Sequence, residues 1–523
     1  MASIVGYIFS THVTQPHIGN SYAFLKHAFG RHISRVFIEL EDGKTYTFAD
    51  ADEISARFAR MFENLALRQG DKVLAQVEKS PEALFLYLAC LRYGLIYIPV
   101  NPAYTYRELE YIIKDTRCSL IVCRPQDESH LQEVARRFAV GHVKTLGISS
   151  DGSLMSESEY VPPYATVREV ESDTIACFMY TSGTTGEPKA AMISHGNIVG
   201  TISALQKVWQ MKSRETLLHT MAIFHGYGLL VALNLALYNA LKVIFLSRFD
   251  EQKIIDFLPR TNIYMGAPSS YIRLLASDSL TPSACKRVRL FVASSAPLSE
   301  KTFHAFENRT KKRIVERYGM TESLINTSNI LREEKPGSCG TVPDDGIELR
   351  IADDSGVPVE HGVVGHIEVR SHCVFQGYWN DVEKTKKAFR PDGFFITGDV
   401  GTMDDDGYVK IVGRTQDVIL CNGTNIYPKE VEKYIDAIEG VDESAVFGLP
   451  DSIYGESVAA AVKVSNPSLS RSSITEKVRN DMADFKIPKY IFFVGELPRN
   501  EMGKVQKQIL RNMAARRLEI PPQ

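Results

Sequence analysis

TFADADEISARFARMFENL (Thr47–Leu65), KVLAQV (Lys72–Val77), SPEALFLYLACLRYG (Ser80–Gly94), YIPV (Tyr97–Val100), TYRELEYIIKDT (Thr105–Thr116) and SLIVC (Ser119–Cys123) follow one another along the chain. Stretches with helical spacing of apolar residues thus alternate with short apolar runs of strand length. Such alternation predicts parallel strands joined by crossover helices, the doubly wound α/β arrangement. It returns from Ile263 to Arg317, where VRLFVASS precedes a helix from Ser299 and then RIVERYG, so a second α/β subdomain is expected. From Glu348 the texture changes to ELRIA, GHIEVRS and YVKIVG, separated by DDSG, EHG and DDDG turns, which predicts a small β-rich subdomain. Beyond Gly413-Arg414, the runs EVEKYIDAIEG, SAVFGLP, VAAAVKV and ITEKVRNDMADF predict a compact α+β unit of about a hundred residues. The expected division is a large N-terminal domain over 1–416 and a small C-terminal domain over 417–523.

A chain of 523 residues, 44% of them hydrophobic, exceeds what one core usually serves. Its formal net charge of -3 supplies no basic field for nucleic acid or anionic lipid. The eight cysteines are scattered singly, without CxxC pairs, and read as reduced thiols in a cytoplasmic protein. The N-terminus lacks the pattern of a secretory signal, and a first helix is expected around Tyr22 to Arg35. The most apolar window, Gly228 to Leu246, contains Asn234, Asn239 and Lys242, each costly in hydrocarbon, so it reads as a buried helix and strand rather than a membrane span.

The strongest chemical signal is YTSGTTGEPK, Tyr180 to Lys189. Hydroxyls and glycines at this density let backbone N–H groups and side chains wrap a polyphosphate, making Thr181, Ser182, Gly183, Thr184, Thr185, Gly186 and Lys189 candidate phosphate ligands. It is not a Walker A loop, because only two residues separate Gly183 from Gly186 and Lys189 follows a proline. A kinase or P-loop ATPase is therefore disfavoured.

With this loop the sequence resembles the acyl-adenylate-forming superfamily of acyl-CoA synthetases, luciferases and peptide-synthetase adenylation domains. Further matches follow in order: IFHGYG (Ile223–Gly228), SSAPL (Ser294–Leu298), ERYGMTE (Glu316–Glu322), FFITGD (Phe394–Asp399), Gly413-Arg414 and PRNEMGK (Pro498–Lys504). The resemblance implies ATP, Mg²⁺ and coenzyme A as reactants, an acyl-AMP intermediate, and a mobile C-terminal domain that serves both half-reactions. Ser295, Ala296, Pro297, Glu316, Arg317, Tyr318, Gly319, Met320 and Thr321 would then border the nucleotide. Tyr318 offers a flat surface for adenine, and Asp399 with Arg414 would hold the ribose. Glu322 supplies a hard oxygen for Mg²⁺, and Lys504 would neutralise charge on the carboxylate and α-phosphate. Catalytic roles fall to Thr184, Glu322, His225 and Lys504, the hinge to Gln416, and the thiol-channel loop to Gly423.

Within the superfamily the chain resembles malonyl-CoA synthetases most, through AQVEKSPEALFLYLACLRYG, VNPAYTYRELEYIIKD, ERYGMTESLINTSN, DGFFITGDVG and LPRNEMGKVQK. A short dicarboxylate requires a cation for its distal carboxylate, and Arg289 and Arg248 are the candidates. His225, Gly226, Tyr227, Met265, Gly266, Ser294 and Met320 would line the acid pocket. Gly226 and Tyr227 stand where malonyl-CoA synthetases carry a bulkier residue and a second histidine, so a branched or longer acid stays open, as does a short- or medium-chain monocarboxylate. Transfer to an acyl-carrier protein and a non-catalytic nucleotide sensor are the other readings; the oligomeric state is open.

Overall fold

A computed structural model describes residues 19–181, 188–344, 346–421, 424–451, 455–479, 481–500 and 503–518. The helices of the opening alternation form where local chemistry starts and stops them. Thr47 and Asp50 make a reciprocal capping box for the helix Phe48–Asn64, and Thr105 and Glu108 do the same for Tyr106–Thr116. Between them, Ser80 caps a helix that opens on Pro81 and ends at Gly94 in the left-handed conformation. Each such cap is worth about 1 kcal/mol. The helix Pro81–Tyr93 is buried on all sides, which explains why its apolar residues run almost without interruption.

Two sheets result. One has six strands, with Lys72–Gln76, Ile96–Pro99, Leu120–Cys123 and His142–Thr145 parallel, and Lys189–Ser194 antiparallel to Ile175–Thr181 at its edge. The other has eight. Its parallel body runs in spatial order Ile314–Tyr318, Leu290–Ala293, Ile263–Gly266, Thr216–His219, Lys242–Phe245 and Val36–Leu40, with short antiparallel strands at both edges. The first strands of the described residues, Val36–Leu40 and Thr45–Thr47, join this sheet before the chain leaves to build the six-stranded one and returns. One large core cluster holds residues of both sheets and of the helix Pro81–Tyr93.

A four-stranded antiparallel sheet (Ile347–Ala352, Gly365–Ser371, Phe395–Met403, Val409–Arg414) forms the β-rich subdomain. After the turn Thr415–Asp417 the chain enters a five-stranded sheet that starts at Ile419–Cys421 and has its own two core clusters. The fold is thus a large N-terminal region of two α/β subdomains and a β-rich one, followed by a smaller α+β C-terminal region.

Two sequence expectations shift. The first helix spans Ser21–Phe29 with a 3-10 turn to His32, and the strand Val36–Leu40 starts directly after Arg35. The apolar window after Gly226 is a π-helix, Tyr227–Leu233, continued by a short α-helix Asn234–Tyr238 and the strand Lys242–Phe245. Among the described residues no helix is long and apolar enough to cross a membrane.

Candidate active site

In the eight-stranded sheet the motif residues gather at one edge because they follow the carboxyl ends of parallel neighbours. Gly266 ends one strand, Ser294 to Pro297 follow the next, and Gly319 to Glu322 follow the third. The loop carrying His225 follows Thr216–His219, which pairs with the first of these. The carboxyl edge of such a sheet is where open α/β folds bind ligands. His225, Gly226, Gly319, Met320 and Thr321 are half-buried there, whereas Met265 and Ser294 are buried beneath. Ser295 sits at φ +75°, a left-handed conformation uncommon for a residue with a side chain.

Tyr318 donates its hydroxyl to Asp399 Oδ2 at 2.6 Å, and Arg414 Nε lies 3.1 Å from Asp399 Oδ1. Asp399 and Arg414 are register partners on adjacent strands, so the β-rich subdomain presents the pair as a unit. Burial and the nearby Asp399 carboxylate raise the Tyr318 phenol far above its usual range and keep it a donor. Glu322 is 6% exposed and accepts from Tyr378 Oη at 3.0 Å. Burial raises its pKa despite that bond, and a divalent cation is what would favour its charged form. Among the described residues no three His, Cys, Asp or Glu side chains cluster as a metal cage. One hard carboxylate fits Mg²⁺, which is commonly held by one or two carboxylates together with substrate phosphates.

Sequence reasoning missed Tyr378, since nothing in its spacing marks it. Residues 376–379 pair with 190–192, through Gln376 N to Met192 O at 2.8 Å and Trp379 N to Ala190 O at 2.9 Å. Tyr378 therefore links Glu322 to the strand that flanks the phosphate loop. Thr181 and Lys189 face each other across that hairpin. The expected ligands Ser182, Gly183, Thr184, Thr185 and Gly186, and the thiol-channel residue Gly423, lie outside the described residues.

Lys504 lies in a turn closed by Asn500, whose Oδ1 accepts from the Lys504 N–H at 2.9 Å and whose N–H donates to Lys504 O at 2.9 Å. Burial first, then the Arg414 cation, bring its ammonium down to about 8, with Asp399 and Asp417 opposing. The C-terminal lysine thus stands in the field of the Tyr318, Asp399 and Arg414 group. Gly503 packs on Ser269 of the helix Pro268–Leu275, at a position where a Cβ would overlap the serine side chain. Lys301 Nζ donates to Val441 O at 3.1 Å, a second tie between the two regions. Exposed Gln416 sits in the turn between the last strand of one region and the first of the other, where Arg511 Nη2 reaches Asp417 Oδ1 at 3.1 Å.

Several expected residues are placed differently. Arg289 precedes the strand Leu290–Ala293, at the edge opposite the site; its guanidinium pairs with Glu215 and donates to Trp209 O at 3.0 Å and Gln210 O at 3.1 Å. It cannot receive the acid. Arg248 follows Lys242–Phe245 at the carboxyl edge and is exposed. Glu316, expected beside the nucleotide, is turned inward, accepting from Leu298 N at 3.0 Å, and burial raises its carboxyl to about 8. Strand alternation puts Arg317 on the face opposite Tyr318, over the Tyr227 ring at 5.3 Å. His225 is held to about 4 by burial, so its imidazole is neutral at physiological pH.

Comparison with known proteins gives two family matches: AMP-binding enzyme over residues 25–379 and AMP-binding enzyme C-terminal domain over 430–504. The crystal structure of ATP-bound MatB from Rhodopseudomonas palustris superposes with a TM-score of 0.92 at 39% identity, covering 95% of this chain and 98% of that one. Among curated proteins, the mitochondrial malonate–CoA ligase ACSF3 of Mus musculus is 31% identical over 80% of this chain and 77% of its own length. A long-chain-fatty-acid–CoA ligase of Bacillus subtilis (strain 168) is 29% identical over 90% of each.

Proposed function

The chain belongs to the AMP-binding enzyme family as an AMP-forming acid–CoA ligase using ATP, Mg²⁺ and CoA, and we propose that its acid is a short dicarboxylate, malonate first. The observation that carries the choice of acid is likeness to ligases named for malonate, 27% identical over 96% of the chain for the Arabidopsis thaliana protein and 31% identical over 80% of it for the mouse one.

The site supports a division of labour. Tyr318 bounds the adenine, Asp399 and Arg414 bind the ribose hydroxyls, and Glu322 holds Mg²⁺, which neutralises phosphate charge when bound. Lys504 offsets charge between the attacking carboxylate and the α-phosphate as acyl-AMP forms and pyrophosphate leaves. Thr184 and its neighbours cradle the phosphates, and His225, as a neutral imidazole, borders the acyl group. In the second half-reaction the thiol sulfur attacks the acyl carbonyl and AMP departs. For that step we place a rotation about Gln416, which withdraws Lys504 and brings the loop of Gly423 toward the thiol. Exposed Arg248 at the carboxyl edge would draw an anionic acid inward.

The test is pyrophosphate release from the purified chain with ATP and Mg²⁺ across malonate, methylmalonate, acetate, octanoate and benzoate, with and without CoA. Malonate-selective release giving a CoA thioester is expected. A monocarboxylate preference would sink the dicarboxylate reading. Release that needs an acyl-carrier protein in place of CoA would move the acceptor, and no release with any acid would leave a nucleotide sensor.

A further inference from the structure

We propose that Arg499, braced by Glu443, is a positioning residue that fixes the hairpin presenting Lys504 for the acyl-AMP step. It rests on the reading that gives Lys504 that step, and it names what holds the lysine there.

A short hairpin outside a sheet is weakly held by its own bonds. The arms of this one meet through the bridge between Arg499 and Val505 and through Gln506 N to Pro498 O at 2.8 Å, and Asn500 closes the turn. Such bonds shape the hairpin without aiming it. Arg499 supplies the aim: Nη1 donates to Gly503 O at 2.5 Å while Nη2 pairs with Glu443. One planar guanidinium thus joins the residue before Lys504 to the strand Val441–Asp451. Arg499 and Glu443 are both half-buried, where an ion pair returns little stability, but a forked one fixes direction.

Glu443 is a firm anchor because its strand is docked. Two residues earlier, Val441 O accepts from Lys301 of the helix Glu300–Thr310. At the other end of the brace, Gly503 abuts Ser269 of the helix Pro268–Leu275. Both helices begin just beyond strands whose carboxyl ends border the site, Leu290–Ala293 and Ile263–Gly266. A line of contacts therefore runs from one wall of the site through Val441, Glu443, Arg499 and Gly503 to the other, with Lys504 next to its end. A rotation about Gln416 parts the contacts with Lys301 and Ser269. Arg499, Glu443 and Gly503 belong to one region and travel together, so the lysine returns with its hairpin already formed.

Neighbouring cations are engaged elsewhere. Lys507 Nζ donates to Glu432 Oε1 at 2.7 Å, and Arg511 reaches Asp417. The charges that face the Lys504 ammonium are Arg414 and Asp399 from the β-rich subdomain, Asp417 from the connecting turn and Lys507 from the last helix. Arg499 reaches the lysine through the Gly503 carbonyl.

Acid-dependent exchange of pyrophosphate into ATP reads the acyl-AMP step, and thioester formation from supplied acyl-AMP reads the second. Both should be measured in the parent chain, Arg499→Met, Arg499→Lys, Glu443→Gln, Arg499→Met with Glu443→Gln, Lys504→Ala and Lys489→Ala, with urea midpoints recorded for each. Arg499→Met should slow exchange at least about tenfold, through kcat, and affect thioester formation far less, because a misplacement of about 1 Å costs up to about 10²-fold only where the displaced group acts. Arg499→Lys keeps the charge without the fork and should recover part of the rate. The double variant should be no slower than Arg499→Met, since Glu443 acts through the arginine; additive losses would overturn the brace. A loosened hairpin admits water to Lys504, so the alkaline limb of exchange, set near about 8 by burial and the facing charges, should move upward in Arg499→Met. Lys489→Ala breaks the pair with Asp451 at the far end of the same strand and should leave both rates parental. A purely structural role would slow both half-reactions together and leave the limb in place, which would overturn the assignment, as would parental exchange in Arg499→Met. Should Arg499→Met fail to fold, parental exchange with an unmoved limb in Glu443→Gln overturns it equally. If Lys504→Ala retains exchange, the role of the lysine falls and Arg499 with it. If Lys504→Ala loses exchange while Arg499→Met keeps it, Arg499 alone falls.

Discussion

Lys504 offers the sharpest test of the described geometry, because its burial converts a usually silent residue into one that titrates in an accessible range. An ordinary lysine titrates near 10.4 and is more than 95% protonated at about pH 9. Here burial and the Arg414 cation bring the ammonium to about 8. The sign is that of a base whose cation is disfavoured, so the charged form is held below the shifted value and lost above it. One pH unit above it, about one-tenth of the enzyme carries the charge, and the acyl-AMP step should slow about tenfold relative to pH 7. Acid-dependent exchange of pyrophosphate into ATP, followed as kcat/KM from pH 6 to 9.5, reports the free enzyme. Lys504→Arg, which stays protonated throughout, should flatten the alkaline limb at a lower rate, and Lys504→Ala should lose about 10²- to 10³-fold at all pH values. A limb of the same midpoint in Lys504→Arg would assign the titration to another group. A parent profile flat to pH 9.5 beside an inactive Lys504→Ala would mean that the lysine is more solvated than described.

Glu316 carries its proton in the folded state up to about pH 8, against 4.5 for an unperturbed glutamate, so its contribution to stability is full below 4.5 and lost as pH rises towards 8. Glu316→Gln keeps an oxygen for Leu298 N and cannot ionise; its urea midpoint should gain on the parent between pH 5 and 8, by at most about 1.4 kcal/mol per pH unit. Arg289→Ala strands the mostly buried Glu215 and should cost about 1–3 kcal/mol in urea unfolding while leaving the KM for the acid unchanged; a tenfold rise in that KM at parental stability would return Arg289 to the site. Gly503→Ala adds a methyl that overlaps Ser269, at a backbone position with φ +74°. It should slow pyrophosphate exchange at least tenfold by displacing the lysine turn, with thioester formation from supplied acyl-AMP affected less; equal loss in both assays would speak against that contact.

What the sequence revealed followed periodicity and local chemistry. The alternation from Thr47 to Cys123 reads directly because each capped helix covers a run of consecutive apolar residues that becomes a buried parallel strand. The gathering of Gly266, Ser294 and Thr321 at one edge is also legible, since each follows a run of strand type. Direction is less legible. Arg289 precedes its run and Ser294 follows it, and only knowing which end of the sheet is open separates a remote ion pair from a site residue. Facing is similarly hidden. Glu316, Arg317 and Tyr318 are consecutive, yet the first fastens a loop, the second turns to Tyr227 and the third reaches Asp399. Tyr378 is invisible because its role depends on pairing between segments about 190 residues apart, a contact with no local signature.

The left-handed backbone at Ser295 has a practical consequence for remodelling the enzyme. A residue with a Cβ pays about 1–2 kcal/mol in that conformation, which glycine does not. Ser295→Gly should therefore raise the urea midpoint, less whatever glycine adds to the freedom of the unfolded chain. Substitutions that reshape an acid pocket commonly destabilise by about 1 kcal/mol. Introducing Ser295→Gly first would give such a library a comparable margin, letting variants survive that the parent backbone would eliminate by unfolding before their selectivity could be seen.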